Sequence, residues 1–549
     1  MRFEEKLKEG DNQALWDEYC GFLDLSVEEF MSIQRRLLLE QIEIWSDSPL
    51  GQTFLRGKKP EGVEDFRQIV PLTTYEDYAQ ILLQKESSML PAEAVLWIQT
   101  TWEGGMNPVK VAPYTKSMLD TYRNNVMSCL MLASSREKGH FDINPKYHIL
   151  YALAPLPFAT GILPLLFKDE IGINFLPPVE EAVHMSFSER NKKGFKMGMR
   201  RGIEYFFGLG SVTYFVSLSL GAMQGKSASG DKSLKDKLSG ISPAMILRLI
   251  SARKKCKEEN RELMPKDLFN LKGFMCAGTD NNCYKDDLEE LWGVRPMEIF
   301  AGTEPTCIGT ETWTRDGMYF FPDACFYEFI PENEMERNLA NPSYVPRTIL
   351  MDQVVPGEKY ELVITVFKGG AFARYRVGDM YRCVGLTNKE DQTRIPRFHY
   401  VDRIPTIIDI AGFTRITENS INSAVKLSGL AVENWIALKE YGEKGRPMLH
   451  MYMEMKKEAL ITGGVSCRII KEHLSVYFKY LDQDYKDLKK ILGMDPLKVT
   501  LVRCKTFAVY EEKYGVLPRR VNPPSMEVSQ LLKAVEEEYR PGKGGASYV

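Results

Sequence analysis

Between residues 147 and 304, short apolar runs that read as strands alternate with helix-patterned segments, and the runs end in small or hydroxyl-bearing residues. Tyr147 to Leu153 leads into APLPFATG, and Ile171 to Leu176 is a second run. LKGFMCAGT is a third and RPMEIFAGTE a fourth. This alternation constrains the chain to an α/β domain whose ligands lie off the carboxyl ends of the strands. Tyr205 to Met223 is nearly uncharged over about a bilayer's thickness, but its three Gly and several Ser and Thr make it a buried helix, or a strand and helix, rather than a membrane span.

With 549 residues the chain exceeds what one core supports, so two or more domains are expected. Toward the N-terminus, SVEEFMSIQRRLLLEQIEIWS has helical spacing and an acidic start. In DFRQIVPLTTYEDYAQILL a short strand-like run reaches Pro71, and Thr73 or Thr74 is placed to cap a helix. AVLWIQTTWEGGMNPVKVAPYT reads as a strand, a Gly-containing loop and a second extended piece, an order suited to backbone N–H groups approaching phosphates.

From Gly317 to Gly385 the pattern is β-rich. Within GGAFARYRVGDMYRCVG, strand-forming residues bracket Gly378-Asp379, which predicts an acidic side chain at a tight turn between two strands. RFHYVDRIPTIIDIAG then gives a strand, a charged crossing at Asp402-Arg403 and a new strand. The boundary falls there, with residues 1–402 forming one domain and residues 403–549 a small α+β domain of about 145 residues.

A formal net charge of −3 supplies no basic surplus from which to argue nucleic-acid or membrane binding. The charged N-terminus lacks a secretory pattern, so a cytoplasmic protein is expected. Ten scattered Cys without a C-x-x-C pair and six dispersed His argue against a zinc site or a disulfide framework. No obligate protein partner is inferred.

FRQIVPLTTYEDYAQILL, FAGTE and YELVITVFKGGAFARYRVGD, in this order and spacing, resemble the Gretchen Hagen family of acyl-acid amido synthetases, within the adenylate-forming superfamily of acyl-CoA synthetases, adenylation domains and luciferases. The resemblance implies a large N-terminal adenylate-forming α/β domain, with packed helices and a β-rich subdomain, and a small mobile C-terminal domain. It also implies ATP and Mg²⁺ as cofactors, a hydrophobic carboxylic acid activated as acyl-AMP, and an amine or amino acid as acceptor.

Residue by residue, the resemblance implies that Glu304 holds Mg²⁺ and that Ala301, Gly302 and Thr303 line the phosphates. Asp379 would accept the ribose hydroxyls, and Ala277, Gly278 and Thr279 would flank the adenine. Arg403 would open the hinge segment, and Gly412 would turn the loop beyond it. Phe158, Ala159 and Gly161 would border the acyl pocket, together with the apolar 205–220 region.

Two places depart from the family pattern. Anchored on Lys110 and Pro113, the phosphate loop, preceded by Thr100, puts Thr101, Trp102, Glu103, Gly104 and Gly105 where Ser, Ser, Gly, Thr and Ser or Thr are expected, so hydroxyl donors are lost and Glu103 adds a negative charge. Near the C-terminus the family's lysine two residues before a Pro-Arg pair is Val516 here, which leaves Lys513 or Lys505 for that role. Transfer to a thiol such as coenzyme A, or a non-catalytic binding protein, are the alternative readings.

Overall fold

The architecture comes from a computed structural model, which describes residues 2–100, 109–152, 154–185, 187–225, 242–412, 414–442, 445–457, 466–481, 489 and 492–538. The chain folds into two compact units that part between Asp402 and Arg403.

In the first unit, β1 (Leu96–Gln99) and β2 (Val111–Tyr114) pair antiparallel. A seven-stranded sheet follows from β3 (His148–Ala152), β4 (Asn174–Leu176), β5 (Tyr205–Leu209), β6 (Gly273–Ala277), β7 (Met297–Gly302), β8 (Thr306–Thr310) and β9 (Tyr319–Phe320). Its order is β4-β3-β5-β6-β7-β8-β9, with the first five strands parallel and the last two turned antiparallel. A second sheet has the order β10 (Cys325–Pro331), β11 (Lys359–Val366), β12 (Tyr375–Gly385) and β13 (Arg397–Arg403).

Helices cover these sheets because their apolar stripes need a partner surface. They include α1 (Val27–Ser46), α2 (Val63–Ile69), α3 (Lys116–Ser134), α4 (Leu163–Glu170), α5 (Phe187–Arg201), α6 (Gly210–Gly225), α7 (Pro243–Glu258) and α8 (Lys285–Trp292). α1 starts where the Ser26 hydroxyl accepts from Glu29 N–H and the Glu29 carboxylate accepts from Ser26 N–H, a reciprocal cap. Its Leu37, Leu38, Ile42 and Trp45 are buried in the main core. The apolar 205–223 stretch divides into β5 and the start of α6, and among the described residues no helix is long and apolar enough to cross a membrane.

Two local expectations need correction. Residues 63–69 form a helix rather than the strand-like run expected before Pro71. Glu64 and Asp65 lie in its first turn and Arg67 in its last, charges that favour a helix end to end, while Phe66 is buried. The second concerns Asp379: β12 runs unbroken from Tyr375 to Gly385, so there is no turn between two strands. Against β11 the register jumps from Glu361↔Met380 to Val363↔Arg376, leaving residues 377–379 opposite Leu362 alone. Gly378, with φ +81°, supplies the left-handed residue such a bulge needs.

The second unit contains the hairpin β14 (Ile407–Ile410) and β15 (Thr414–Thr417) and a sheet of β16 (Val432–Tyr441), β17 (Pro447–Met455) and β18 (Leu497–Val502), the last pair parallel. α9 (Glu418–Ser428), α10 (Cys467–Leu481), α11 (Thr506–Tyr514) and α12 (Ser525–Glu538) complete it. Ile436, Phe507, Tyr510 and Leu531 form its core.

Candidate active site

The segment VPLTTYEDY ties together strands that are distant in sequence. Thr73 N–H donates to Arg374 O (3.0 Å) and Thr73 O accepts from Arg376 N–H (2.9 Å), so Thr73 sits beside the start of β12 as an extra strand residue. Thr74 caps the following turn through Asp77 instead. The Tyr75 hydroxyl bonds both backbone groups of Val111, at 2.5 Å to N and 3.0 Å to O. The start of β2 and the start of β12 are thereby held by residues two apart.

Lys110 precedes β2 and is fixed at its own backbone. Thr100 N–H donates to Lys110 O (2.9 Å) and Lys110 N–H donates to the Thr100 hydroxyl (3.0 Å), which closes the base of the intervening loop. The loop residues Thr101, Gly104 and Gly105 lie outside the described residues. The Lys110 ammonium reaches Glu304 Oε1 and the Tyr375 hydroxyl, each at 3.3 Å, and the Tyr375 hydroxyl donates to Glu304 Oε1 at 2.7 Å. It also lies 5.8 Å from the Tyr75 ring centre. A cation, a carboxylate and a phenol from three separate segments thus meet in a largely buried place just beyond the carboxyl end of β7.

The strand end itself is pinned by Tyr114, whose hydroxyl donates to Gly302 O (3.1 Å) and Thr303 O (2.8 Å). Burial pushes that phenol well above its ordinary pKa, so it remains a donor. Ala301 and Gly302 close β7 half-buried, and Thr303 and Glu304 follow, buried.

On the neighbouring strand, β6 ends at Ala277, and Gly278 turns the chain at φ +99°. A Cβ there would lie 3.1 Å from Leu209 Cδ2, so the turn is tight as well as left-handed. Asn281 braces it: its amide donates to Gly278 O (2.7 Å) and its carbonyl accepts from Gly210 N–H (3.2 Å). Behind it lies a buried charge cluster, with Lys285 Nζ 2.7 Å from Glu311 and 3.2 Å from Glu298. Burial raises the Glu298 pKa, while its two carboxylate neighbours keep Lys285 above its ordinary value despite its own burial.

Asp379 is buried and its carboxylate lies 3.4 Å from the Tyr400 hydroxyl. The Phe300 ring packs on those of Tyr381 and Tyr400, so the bulged part of β12 leans on β7. Phe158 pairs with Gln99 at the edge of β1, Ala159 opens a short 3₁₀ turn and Gly161 is buried within it. A side chain at Gly161 would collide with the backbone of Leu156, 2.0 Å away.

The remaining expected site residues belong to the second unit. Arg403 opens it, with Nε 3.9 Å from Asp409. Asp409, fully buried, accepts from Gly412 N–H at 2.9 Å and pairs with Arg415 at 3.2 Å, which shapes the turn after β14. Lys513 is exposed on α11, 5.5 Å from the Tyr514 ring, and Lys505 precedes that helix at φ +70°. Among the described residues no group of three His, Cys, Asp or Glu could hold a metal. One buried carboxylate, Glu304, suits a cation that arrives with phosphate oxygens, as Mg²⁺ commonly does.

Tyr375, Tyr114 and Asn281 were not singled out as site residues from sequence. The signal for Tyr375 was its place on the same strand as Asp379, immediately after a basic residue that anchors it.

The chain matches the family models for the GH3 family N-terminal domain over residues 21–154 and the GH3 family central domain over residues 318–403. It is 28% identical over 226 residues to a probable indole-3-acetic acid-amido synthetase GH3.9 of Oryza sativa subsp. japonica, covering 38% of this chain and 46% of that protein. The chain spans less than half the length of the curated relatives it matches. Among solved structures it resembles the AtGH3.15 acyl acid amido synthetase in complex with 2,4-DB, with a TM-score of 0.53, 15% identity and 96% of each chain covered. It also resembles 2-hydroxyisobutyryl-CoA ligase in complex with 2-HIB-AMP and CoA, with a TM-score of 0.55, 14% identity, and 94% and 93% covered. The fold is that of the adenylate-forming ligases.

Proposed function

We propose that this relative of the GH3 proteins is an ATP-dependent ligase that activates a hydrophobic carboxylic acid as its acyl-adenylate and passes the acyl group to an amine, in particular that of an amino acid. The observation that carries the reading is the convergence of Lys110, Tyr375 and Glu304 beyond β7, with Asp379 on the strand that also bears Tyr375.

In this reading Asp379 accepts hydrogen bonds from both ribose hydroxyls and the 277–279 turn leaves a slot for the adenine. Lys110 and the Thr303 hydroxyl face the phosphates, where pre-set donors stabilise charge as it develops. Glu304 is the residue that would hold Mg²⁺, which would supply further charge neutralisation there. Once nucleotide enters, Lys110 exchanges Glu304 for phosphate and Tyr375 keeps the Glu304 carboxylate aimed.

The acid's carboxylate oxygen attacks the α-phosphorus and pyrophosphate leaves, which gives the mixed anhydride. The amine nitrogen then attacks the acyl carbon, AMP departs with the bonding electron pair, and the ammonium proton is lost to solvent or a base. The second unit, entered at Arg403 and bearing Lys513, is assigned the change of closure between the two steps.

The test is pyrophosphate release from ATP over a panel of carboxylic acids, with products identified by mass in the presence of amino acids. Acid-dependent release that Asp379→Ala and Glu304→Ala each reduce by at least about a hundredfold supports the reading. Full activity in either variant overturns the site assignment.

A further inference from the structure

The turn after β6 is held in a shape that its own backbone does not favour. Gly278 lies at φ +99° and Asp280 at φ +59°, so left-handed residues flank Thr279 on both sides. Asp280 tolerates that region less readily than glycine does, and such a conformation persists where the surroundings over-determine it.

The group that over-determines it is one buried amide, that of Asn281, which is 2% exposed. Its Nδ2 donates to Gly278 O at the end of β6 (2.7 Å) and to Glu298 Oε1 on β7 (3.3 Å), and its Oδ1 accepts from Gly210 N–H where β5 gives way to α6 (3.2 Å). Glu298 is fixed in turn by Lys285. The approach at α6 needs glycine, because a Cβ at Gly210 would lie 2.5 Å from Asn281 Oδ1. Three neighbouring parallel strands, β5, β6 and β7, are thus tied at the carboxyl side of the sheet, where open α/β folds bind their ligands. A peptide unit is planar, so holding Gly278 O also fixes the direction of the Thr279 N–H.

We propose that Asn281 is a positioning residue for the base of the nucleotide: it fixes the 277–279 turn, and with it the width of the slot assigned to the adenine. The inference rests on that slot and adds to it a residue that acts from behind. The phosphate end depends on other elements, since Lys110 and Glu304 meet at the start of β2 and beyond β7. Loss of the clamp is therefore felt at one end of the nucleotide only.

The experiment is calorimetric titration of the full chain with AMP and with magnesium pyrophosphate, in the wild type and two variants. Asn281→Asp keeps an acceptor for Gly210 N–H, but it withdraws both donors and sets a carboxylate against Glu298. Adding Glu298→Gln removes that repulsion and lets the amide at position 298 donate back to position 281, while Gly278 O still lacks its donor. Thermal unfolding should show Asn281→Asp destabilised and the double variant recovered in part. AMP should bind both variants about tenfold or more weakly, and magnesium pyrophosphate within about twofold of the wild type. AMP affinity unchanged in the double variant, or equal losses for the two probes, would overturn the proposal. A wild type that binds magnesium pyrophosphate but not AMP would overturn the adenine slot and this inference together, whereas AMP binding that the variants leave intact overturns this inference alone.

Discussion

Lys285 shows what a single side chain holds in place. It pairs with both Glu298 and Glu311, all three buried, and Glu311 also accepts from Glu298 N–H at 2.7 Å. Lys285→Met should cost about 3–5 kcal/mol in denaturant unfolding, since removing one partner strands charge in the interior. Adding Glu298→Gln should restore part of the loss, because burial already favours its protonated form. Tyr375→Phe makes a different test. It removes the hydroxyl shared by Lys110 and Glu304 without opening a cavity, so thermal stability should stay within about 1 kcal/mol. Turnover should fall about tenfold or more with the Glu304 carboxylate no longer aimed. Asp267 titrates in the other direction from Glu298. Hydrogen bonds from Arg261 hold its carboxyl down to about 2, against the opposing effect of burial. A lowered folded pKa stabilises above the unfolded value and is lost as pH falls through the folded one, so this contribution should disappear between about pH 4 and 2. Asp267→Asn should flatten that part of an unfolding-versus-pH curve.

Elements were legible where their information is local. α1 announces itself through Ser26 and Glu29, α3 through Thr115, and β5 with α6 through an uncharged run in which Gly208 and Gly210 fall at the junction. The end of β7 with Thr303 and Glu304 after it could be read because a hydroxyl after a strand is a local pattern, whereas at Asp379 the expected turn between two strands is a bulge within β12. The bulge was not legible, because the residue left unpaired is determined by β11, which pairs from the other side. Residues 63–69 were misread for a related reason: QIVPL alone looks extended, and the helical charges lie upstream. Tyr375 carried only the signal of sharing a strand with Asp379, since its partners are 71 and 265 residues away. The bulge itself makes a prediction. Gly378→Ala should lose about 1–2 kcal/mol, because any side chain resists φ +81°. It should also weaken binding of an acyl-adenylate mimic, because Asp379 turns with the backbone.

At the scale of the molecule, the residues proposed to grip nucleotide, namely Lys110, Thr303, Glu304, Tyr375 and Asp379, all belong to the first unit, whereas Arg403 and Lys513 belong to the second. A fragment of residues 1–402 should therefore bind the acyl-adenylate mimic within about tenfold of the full chain while losing turnover, as calorimetry and the pyrophosphate assay would show. Equal loss of both would tie nucleotide binding to the second unit as well. The Lys110–Glu304 pair carries one more consequence. A lone lysine waiting for triphosphate would be a bare charge at the mouth of the site, attracting any anion in proportion to its valence. Paired beforehand, it behaves like a loaded ion-exchange resin: an incoming anion must bring a cation for the carboxylate it displaces. In the proposed reading, ATP with its divalent ion would satisfy both halves of that swap and free pyrophosphate or sulfate only one, so selectivity for the metal complex would follow from the resting pair.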